Sequence, residues 1–395
     1  MLLKGKHIVL GVTGSIAAYK IASLASMLVK RQADVTVIMT PNAVNFINPI
    51  TFESLTGNKC LVDTFDRNFQ FQVEHVALAK LADLFLVAPA SANVIAKAAH
   101  GIADDMLTTT LLACRCPRIF APAMNTRMYE NPIVQDNIQK LGDYGMEVIA
   151  PAAGYLACGD TGAGKMPEPE TLFEAIVKAL TPKDLAGKKV LVTAGPTQER
   201  LDPVRYISNH STGKMGYAVA RAAMLRGADV TLVSGATALQ PPAGVKVVPV
   251  ISAADMAQAV KEAAPAQDII VKAAAVADYR PAVTADEKIK KKDGELTVLL
   301  ERTEDILAWL GANRREGQIL CGFSMETEHL LENSRAKLEK KKIDMIVANN
   351  LRQEGAGFGT DTNVVTLLTK EGAEELPLLS KEEVADRLLD RLISL

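Results

Sequence analysis

The feature that most constrains the fold is a short pattern that the chain uses twice. The segment Gly5–Leu10 (GKHIVL) recurs as Gly187–Val192 (GKKVLV), and the segment Arg31–Thr36 (RQADVT) recurs as Arg226–Thr231 (RGADVT). A glycine and polar residues followed by an apolar run are typical of a buried strand that opens an α/β unit. The chain therefore begins one such unit near its start and a second near its middle.

The two pairs of segments are not equally spaced. Gly5 and Gly187 are 182 residues apart, whereas Asp34 and Asp229 are 195 apart. The later unit thus has 13 additional residues between its first two strands, and we place them in the loop 198–210. The loop after the first strand is where α/β sheets bind anionic ligands, so an insertion there indicates a ligand site.

Size and composition narrow the class of protein. A chain of 395 residues is long enough for two or three domains, and a net charge of −2 gives no broad field for nucleic acid or membranes. Five cysteines without paired metal-ligand spacing indicate a reducing compartment. The first apolar run breaks at Gly11, too early for a signal peptide or a membrane span. We expect a cytoplasmic protein that acts on small molecules.

We predict an α/β fold of two Rossmann-like domains, at 1–180 and 188–395, joined by a linker at 181–187. Hydrophobic periodicity predicts these elements of the first domain: strands His7–Val12, Val35–Thr40, Ala82–Ala88 and Arg118–Ala121, and helices Ile16–Arg31, Asn93–His100, Met106–Cys114 and Glu170–Leu180. In the second domain it predicts strands Val190–Ala194 and Ile269–Ala273, and helices Gly216–Arg226 and Lys381–Leu392.

The first strand ends in a glycine-containing turn. Gly11 and Gly14 allow backbone N–H groups to approach an anion at the start of the next helix. The spacing is not G-x-G-x-x-G, and Thr40 at the end of the second strand is followed by no acid for a ribose diol. A monophosphate such as that of FMN fits better than a dinucleotide, and a turn without a ligand is the alternative.

Three further segments of the first domain have the composition of site loops. Small and hydroxyl residues, including Ser91 and Asn93, follow the third strand and suit a flat ligand, and the loop 122–132 contains Met124 and Asn125. Four glycines in the segment 150–166 predict a mobile flap rather than a packed element. Within it, Cys158 has neighbours that favour an accessible, reactive thiol.

Taken together, Gly11–Ile16, Pro89–Asn93, Pro122–Tyr129 and Ala157–Asp160 resemble the flavin-dependent cysteine decarboxylases, although Tyr129 stands where that family usually has Trp. The resemblance implies a flavodoxin-like fold for the N-terminal domain. It also implies that FMN is held by Gly11, Gly14, Ser15, Ile16, Thr40, Ser91, Asn93 and Met124.

The same resemblance implies a reaction. FMN oxidises the cysteine thiol of the substrate, which creates a sink for the electrons that remain after CO₂ is lost. His75, which alone would pass for a surface or capping residue, becomes the base or orienting group. The Asn125 amide donates to the substrate carboxylate, and Cys158 delivers the final proton.

Polar clusters in the second domain follow its strands. The segment Ser208–Gly216 offers hydroxyl and N–H groups to a polyphosphate without being a Walker A loop. Asp278 follows a strand end and could meet a ribose or a metal-bound phosphate. Phe323 is predicted to end a strand, where a base could stack on it. A lysine run begins at Lys288, and alone it would indicate only solvated surface.

The whole chain resembles the bacterial bifunctional phosphopantothenoylcysteine decarboxylase/phosphopantothenate–cysteine ligases of coenzyme A synthesis. The resemblance implies that the second domain activates 4′-phosphopantothenate with CTP, forms an acyl-cytidylate and joins it to cysteine. Lys288 would serve the first half-reaction and Asn209 the second. The nucleotide contacts implied are Ala273, Ala274, Asp278, Lys288, Asp305, Phe323, Lys337 and Lys341, with Mg²⁺ near Asp278.

The resemblance also implies a homo-oligomer, a dodecamer built from trimeric decarboxylase contacts and dimeric ligase contacts. Two other functions remain open: a two-domain NAD(P)- or flavin-linked oxidoreductase, and a non-enzymatic flavin-fold regulatory subunit. The lack of G-x-G-x-x-G counts against the first. The reactive group of Cys158, His75 and Asn125 counts against the second.

Overall fold

A computed structural model describes residues 3–65, 74–155, 159–291, 296–326, 330–350, 357 and 359–395. The chain divides into two compact units, Met1–Thr181 and Pro182–Leu395. No helix within the described ranges is both long and apolar enough to cross a bilayer.

The first unit contains a parallel sheet of five strands in the order β2-β1-β3-β4-β5. Its strands are β1 (His7–Val12), β2 (Asp34–Met39), β3 (Leu84–Ala90), β4 (Arg118–Pro122), β5 (Glu147–Val148), β6 (Ala152–Tyr155) and β7 (Thr161–Lys165). Its helices are α1 (Tyr19–Lys30), α2 (Pro49–Thr56), α3 (Glu74–Leu81), α4 (Ala92–His100), α5 (Met106–Ala113), α6 (Thr126–Tyr129), α7 (Pro132–Asp143) and α8 (Pro169–Leu180).

The central strands are apolar because both faces of a parallel sheet are covered by helices. All seven residues of β3 are buried, and Phe85 and Phe120 are among the largest fully buried side chains. After β1 the chain moves outward to β2 and then returns to β3. The direction of winding therefore reverses between β1 and β3, and a crevice at the carboxyl ends of these strands is where such sheets bind ligands.

The predicted strand His7–Val12 is confirmed as β1. The predicted helix Ile16–Arg31 instead begins as a 3-10 turn, Ile16–Ala18, and α1 starts at Tyr19, because the Ser15 hydroxyl accepts the N–H of Ala17 and caps the first turn. The segment 150–166 was predicted to be a mobile flap rather than a packed element. The structure differs in that its described residues include β6 and β7, which pair as an antiparallel hairpin.

The second unit is built on a sheet of eight strands in the order β12-β11-β8-β13-β16-β17-β19-β20. The first six are parallel, and β19 and β20 are antiparallel to their neighbours. The strands of this unit are β8 (Lys189–Ala194), β9 (Gln198–Arg200), β10 (Tyr206–Ser208), β11 (Asp229–Ser234), β12 (Lys246–Pro249), β13 (Ile269–Lys272), β14 (Tyr279–Pro281), β15 (Leu300–Arg302), β16 (Ile319–Glu326), β17 (Met345–Asn350), β18 (Thr362–Asn363), β19 (Val365–Thr369), β20 (Ala373–Glu375) and β21 (Leu379–Ser380).

Helices cover both faces of this sheet. They are α9 (Lys214–Leu225), α10 (Ala253–Ala263), α11 (Ile306–Asn313), α12 (Leu330–Lys340) and α13 (Lys381–Ile393). The chain runs from β8 outward to β11 and β12 and then returns to β13, so the winding reverses between β8 and β13. The crevice at the carboxyl ends of β8 and β13 is therefore the expected ligand site of the second unit.

Three parts of the second unit differ in detail from their prediction. The loop 198–210 contains a short hairpin, β9–β10. The prediction that Phe323 ends a strand is wrong, since β16 continues to Glu326 and Phe323 pairs with Val347 inside the sheet. The linker predicted at 181–187 includes Leu185, which is 1% exposed and lies in the hydrophobic core of the second unit.

Candidate active sites

The first unit has a cavity of about 540 Å³. The turn after β1, the loop after β4 and the β6–β7 hairpin form its walls. The residues that line it are Ser15, Ile16, Ala17, Tyr19, Lys20, Ala123, Met124, Asn125, Tyr155, Gly164, Lys165, Met166 and Glu168. The cavity therefore lies beside the carboxyl ends of β1 and β4, where parallel sheets present loops to ligands.

Thr13, which directly follows β1, joins the ends of β1 and β3. Its fully buried hydroxyl donates to the Pro89 carbonyl at 2.6 Å and accepts the Ser91 N–H at 3.0 Å. The Ser91 hydroxyl in turn caps α4 through the N–H of Val94. A buried hydroxyl costs free energy unless it is hydrogen-bonded, so these bonds fix the relative position of the two strand ends.

The hairpin packs closely against the loop after β4. The N–H of Met124 donates to the Gly164 carbonyl at 3.0 Å. Gly164 has φ +134°, and a Cβ atom there would lie 2.3 Å from the Met124 carbonyl oxygen. Only glycine allows this approach. Gly164, one of the four glycines behind the prediction of a mobile flap, therefore serves a tight backbone contact.

Asn125 connects the same two segments through its side chain. Its Oδ1 atom accepts the N–H of Arg127 and caps α6, and its Nδ2 atom donates to Asp160 Oδ2 at 2.7 Å. The cap orients the amide so that its donor points toward the hairpin. Asp160 Oδ2 thus already accepts a hydrogen bond from Asn125 Nδ2, which is the donor that the resemblance assigns to the substrate carboxylate.

Charged side chains that the sequence analysis did not identify lie along this cavity. Lys20 Nζ is 2.8 Å and Lys165 Nζ is 3.4 Å from Glu168 Oε1. The hydrogen bond from Lys20 holds the pKa of Glu168 below its usual value. Lys20 follows Ile16 by four residues, which places both on the same side of the helix start. That spacing could have indicated from the sequence that Lys20 faces the cavity.

The structure brings four of the predicted FMN and substrate residues into one cavity: Ser15, Ile16, Met124 and Asn125. Thr40 lies at the same edge of the sheet, where its N–H donates to the Val12 carbonyl. Gly14 lies there too, and a Cβ atom on it would be 2.9 Å from Asn42 Cβ.

The other predicted residues do not line this cavity. Gly11 is required by core packing, because a Cβ atom there would lie 2.9 Å from Phe85 Cε1. Asn93 is exposed in the first turn of α4, and His75 is half-buried in the first turn of α3. Cys158 lies outside the described residues.

In the second unit, α9 begins beside the end of β8. Gly213 is the N-cap residue of the helix, with φ +80°, and as a glycine it has no side chain to cap the first turn. A Cβ atom on Gly216 would lie 2.5 Å from Ala194 Cβ, so the helix packs directly on the strand. Uncapped N–H groups at a helix start, held at the reversal of the sheet, are suited to bind a phosphate.

The β9–β10 hairpin is tied to the loop after β13. Asn209 Nδ2 donates to the Ala275 carbonyl at 3.0 Å, and Thr197 Oγ1 accepts the N–H of Ala277 at 3.0 Å. The N–H of Ala274, next to Ala273, donates to Thr193 Oγ1 at 3.1 Å. The insertion found by the spacing argument therefore places Asn209 over the crevice.

The carboxylate of Asp202, which the sequence analysis did not single out, joins the insertion to the lysine loop. It accepts hydrogen bonds from the Arg205 side chain and from the N–H of Ile289, the latter at 3.0 Å. The side chain of Arg205 also donates to the Ile289 carbonyl at 2.7 Å. The hydrogen bond from Arg205 keeps the pKa of Asp202 well below its usual value. Lys288 is exposed immediately before the residue held in this way.

The far side of the crevice carries the other predicted nucleotide residues. Asp305 caps α11 through the N–H of Ala308 and pairs with Lys341 Nζ at 2.9 Å. Partial burial alone would raise the pKa of Asp305, but that cap and Lys341 outweigh it and the pKa is lowered. Lys337 Nζ lies 3.3 Å from Ser324 Oγ. Phe323 is half-buried against the core on the other face of β16.

The metal expectation rests on Asp278 alone. In the described part of the chain, no three His, Cys, Asp or Glu side chains come together as metal ligands. Asp278 is exposed just beyond β13. Magnesium is often held by one or two carboxylates together with substrate phosphates and water, so this arrangement fits a metal that arrives with a nucleotide.

Known proteins match this chain over nearly its whole length. Residues 2–181 match the family described as Flavoprotein, and residues 185–395 match the family described as DNA/pantothenate metabolism flavoprotein C-terminal domain. The coenzyme A biosynthesis bifunctional protein CoaBC of Bacillus subtilis (strain 168) is 48% identical over 399 residues, covering 100% of this chain and 98% of that protein.

Proteins of the same name from Vibrio vulnificus (strain YJ016) and Escherichia coli (strain K12) are 45% and 42% identical, each covering 100% of this chain and 98% of the relative. These matches confirm the resemblance inferred from the motifs, and they place a flavoprotein domain before a pantothenate-metabolism domain in one chain. The chain therefore belongs to the family of bifunctional coenzyme A biosynthesis proteins.

Proposed function

We propose that the chain carries out two successive steps of coenzyme A synthesis. The second unit joins cysteine to 4′-phosphopantothenate at the expense of CTP, and the first unit decarboxylates the 4′-phosphopantothenoylcysteine product to 4′-phosphopantetheine. The observation that carries this proposal is that each unit gathers its family motifs at the carboxyl edge of its own sheet, where the winding reverses. Two separate crevices suit two separate reactions.

For the first unit, the cavity residues fit a flavin. Small residues and hydroxyls after β1 and β3 leave backbone N–H groups near the sheet edge, and Met124 supplies an apolar wall. When bound, FMN supplies the two-electron oxidation that makes loss of CO₂ possible. Asn125 then holds the substrate carboxylate through the donor that now meets Asp160, and Cys158 returns a proton to the reacting carbon.

The proposed role of His75 depends on association of several copies of the chain. It does not line the cavity of its own chain, so we assign it to the site of a neighbouring copy, where it acts as base or orienting group. Such sharing requires a homo-oligomer. The proposed assembly is the dodecamer that the family resemblance implies, with trimeric contacts between first units and dimeric contacts between second units.

For the second unit, the helix start at Gly213 and the lysines around the crevice support binding of the CTP triphosphate. Asp278 meets the ribose or the Mg²⁺ that accompanies the triphosphate. Lys288, on a loop held by Asp202, neutralises charge as the acyl-cytidylate forms. Asn209 orients the intermediate for attack by the cysteine amine. Phe323 is retained as a proposed contact of the base, made from within β16 and not from a strand end.

The decisive experiment is a mass-spectrometric assay of the purified full chain with 4′-phosphopantothenate, cysteine, CTP and Mg²⁺. The proposal predicts 4′-phosphopantetheine, and 4′-phosphopantothenoylcysteine should accumulate when the protein is stripped of flavin. Release of pyrophosphate from CTP should require 4′-phosphopantothenate. A preparation that cannot take up FMN, or that forms no amide with CTP, would refute the corresponding half.

A further inference from the structure

Lys272 is the last residue of β13, and neither the motifs nor the proposed reaction assigns it a role. It pairs across the sheet with Thr193 of β8 and Gly322 of β16, so it lies at the point where the winding of the sheet reverses. Successive side chains of a strand point to opposite faces. Lys272 therefore shares a face with Ile270, which packs with residues of α11 and α12.

Charged groups just before α11, just after α12 and in the loop after β13 act electrostatically on this lysine. Burial and the positive charge of Lys341 lower the pKa of Lys272 to about 8, and the carboxylates of Asp305 and Asp278 act in the opposite direction. These three groups are residues already assigned to the nucleotide. Lys272 thus lies among them without having been identified by any motif.

Among Lys272, Lys341, Asp305 and Asp278, one lysine forms an ion pair and the other does not. Lys341 is bound to Asp305 at 2.9 Å. Within the described residues, the ammonium of Lys272 forms neither an ion pair nor a hydrogen bond. Lys272 is half-buried. A half-buried ammonium without a partner costs free energy, and stability alone gives no reason to keep it. The same position is favourable if an anion arrives.

We propose that Lys272 is a further binding residue of the ligase site, and that its ammonium pairs with a phosphate oxygen of the bound nucleotide. This inference rests on the proposed function. The nucleotide, rather than the phosphate of 4′-phosphopantothenate, is the expected partner because Asp278, Asp305 and Lys341 face the same position. Lys272 therefore offers the triphosphate a cation that forms no ion pair with a carboxylate of the described residues.

The test compares Lys272→Met and Lys272→Arg with the wild type in the full-length, flavin-loaded protein. Lys189→Met is a matched control, because Lys189 is an exposed lysine at the opposite end of the neighbouring strand β8. Isothermal titration calorimetry gives the Kd of CTP with Mg²⁺ and, separately, that of 4′-phosphopantothenate. Differential scanning fluorimetry gives the melting temperature without ligand.

The Met variant should bind CTP about 10- to 100-fold more weakly, the range expected when one charge-assisted hydrogen bond is lost. Its affinity for 4′-phosphopantothenate and its rate of decarboxylation should remain those of the wild type. Its melting temperature without ligand should be unchanged or higher, because an unpaired charge has been removed. The Arg variant should recover part of the CTP affinity, and Lys189→Met should match the wild type throughout.

Two results would overturn the inference alone: a Met variant with wild-type CTP affinity, or one whose ligand-free melting temperature falls, since the lysine would then be a structural residue. If the first result came with weaker binding of 4′-phosphopantothenate, the lysine would belong to that substrate and not to the nucleotide. If the wild type itself fails to bind CTP, the proposed ligase function fails, and this inference fails with it.

Discussion

The carboxylate of Asp202 accepts hydrogen bonds from Arg205 Nε at 2.9 Å and from Arg205 Nη2 at 2.5 Å. Both residues lie in the insertion of the second unit, and both also bond the backbone of Ile289. Ile289 directly follows Lys288. Asp202 and Arg205 contact no substrate in our proposal. By holding the backbone of Ile289, they determine the position of the proposed catalytic residue Lys288.

The first prediction concerns this pair. Asp202→Asn replaces one accepting oxygen with a donor that faces Arg205 and the Ile289 N–H, so the lysine loop should be released. We expect the kcat of CTP-dependent ligation to fall by about tenfold or more, with decarboxylation unchanged. Asp286→Asn, an exposed carboxylate in the same loop, is the control and should have no effect. Equal rates for both variants would contradict the positioning role.

The second prediction concerns Lys288 itself. Lys288→Gln keeps most of the side-chain length but removes the charge that would stabilise the developing anion. Pyrophosphate release from CTP should be abolished, while decarboxylation of supplied 4′-phosphopantothenoylcysteine should proceed at the wild-type rate. A coupled pyrophosphate assay and a CO₂ assay on the same preparation measure both. Loss of both activities would argue against two separable sites.

The third prediction concerns the hairpin of the first unit. Gly164→Ala would bring a Cβ atom to 2.3 Å from the Met124 carbonyl and would require an unfavourable φ. Either the hairpin or the loop carrying Asn125 must move, at a cost of about 1–3 kcal/mol from backbone strain alone. Flavin retention, read from the visible spectrum, and decarboxylation should fall, while ligation should continue.

The matched control for that substitution is Gly142→Ala in α7, where a Cβ atom would meet nothing within 4 Å. Helix propensity predicts that this variant is as stable as the wild type or about 1 kcal/mol more stable. If Gly142→Ala and Gly164→Ala behaved alike, the close approach of hairpin and loop would not matter for the cavity.

The fourth prediction concerns the segment between the repeats. Leu185 is buried in the core of the second unit, and the neighbouring Asp184 pairs with the buried Arg226. Leu185→Ala should lower the free energy of unfolding of the second unit by about 2–5 kcal/mol. Urea denaturation followed by the ligase activity measures this. Leu378→Ala, which removes a side chain of a residue that is 54% exposed, should change it little.

The fifth prediction is a dependence of stability on pH. The pKa of Lys272 is lowered to about 8 from its ordinary 10.5, so the unfolded chain binds more protons than the folded chain between these values. The free energy of unfolding should therefore rise with pH across this window, by about 2 kcal/mol from this residue. The wild type and Lys272→Met should be compared at pH 7 and pH 10. A difference between them that does not change with pH would contradict the burial of an unpaired ammonium.

Much of the fold was predictable because it is encoded locally. The apolar runs that start at His7 and Val190 specify strands through the spacing of neighbouring side chains. The repeated segments also showed that the chain builds two units and that the second has an insertion. Asn209 in that insertion, and Met124 and Asn125 in the loop after β4, could be proposed as site residues from the sequence because their motifs are contiguous.

The features that the sequence did not reveal depend on residues distant along the chain. Gly164 could be recognised as a glycine, but its contact with Met124 depends on how the hairpin folds back. Phe323 was misplaced because the length of β16 is set by pairing with β17, which follows later. A local sequence pattern does not specify which distant segment a residue or strand will contact.

The sequence by itself determined the two α/β units, the order of their motifs and the family to which they point, because periodicity and short motifs act over a few residues. Only the tertiary structure decided that Asp202 holds the loop of Lys288, that Gly164 meets Met124, and that Lys272 has no ion-pair partner among the residues that the structure describes. Those relationships arise when strands distant in the chain become neighbours, and the packing around them then determines which charges are paired.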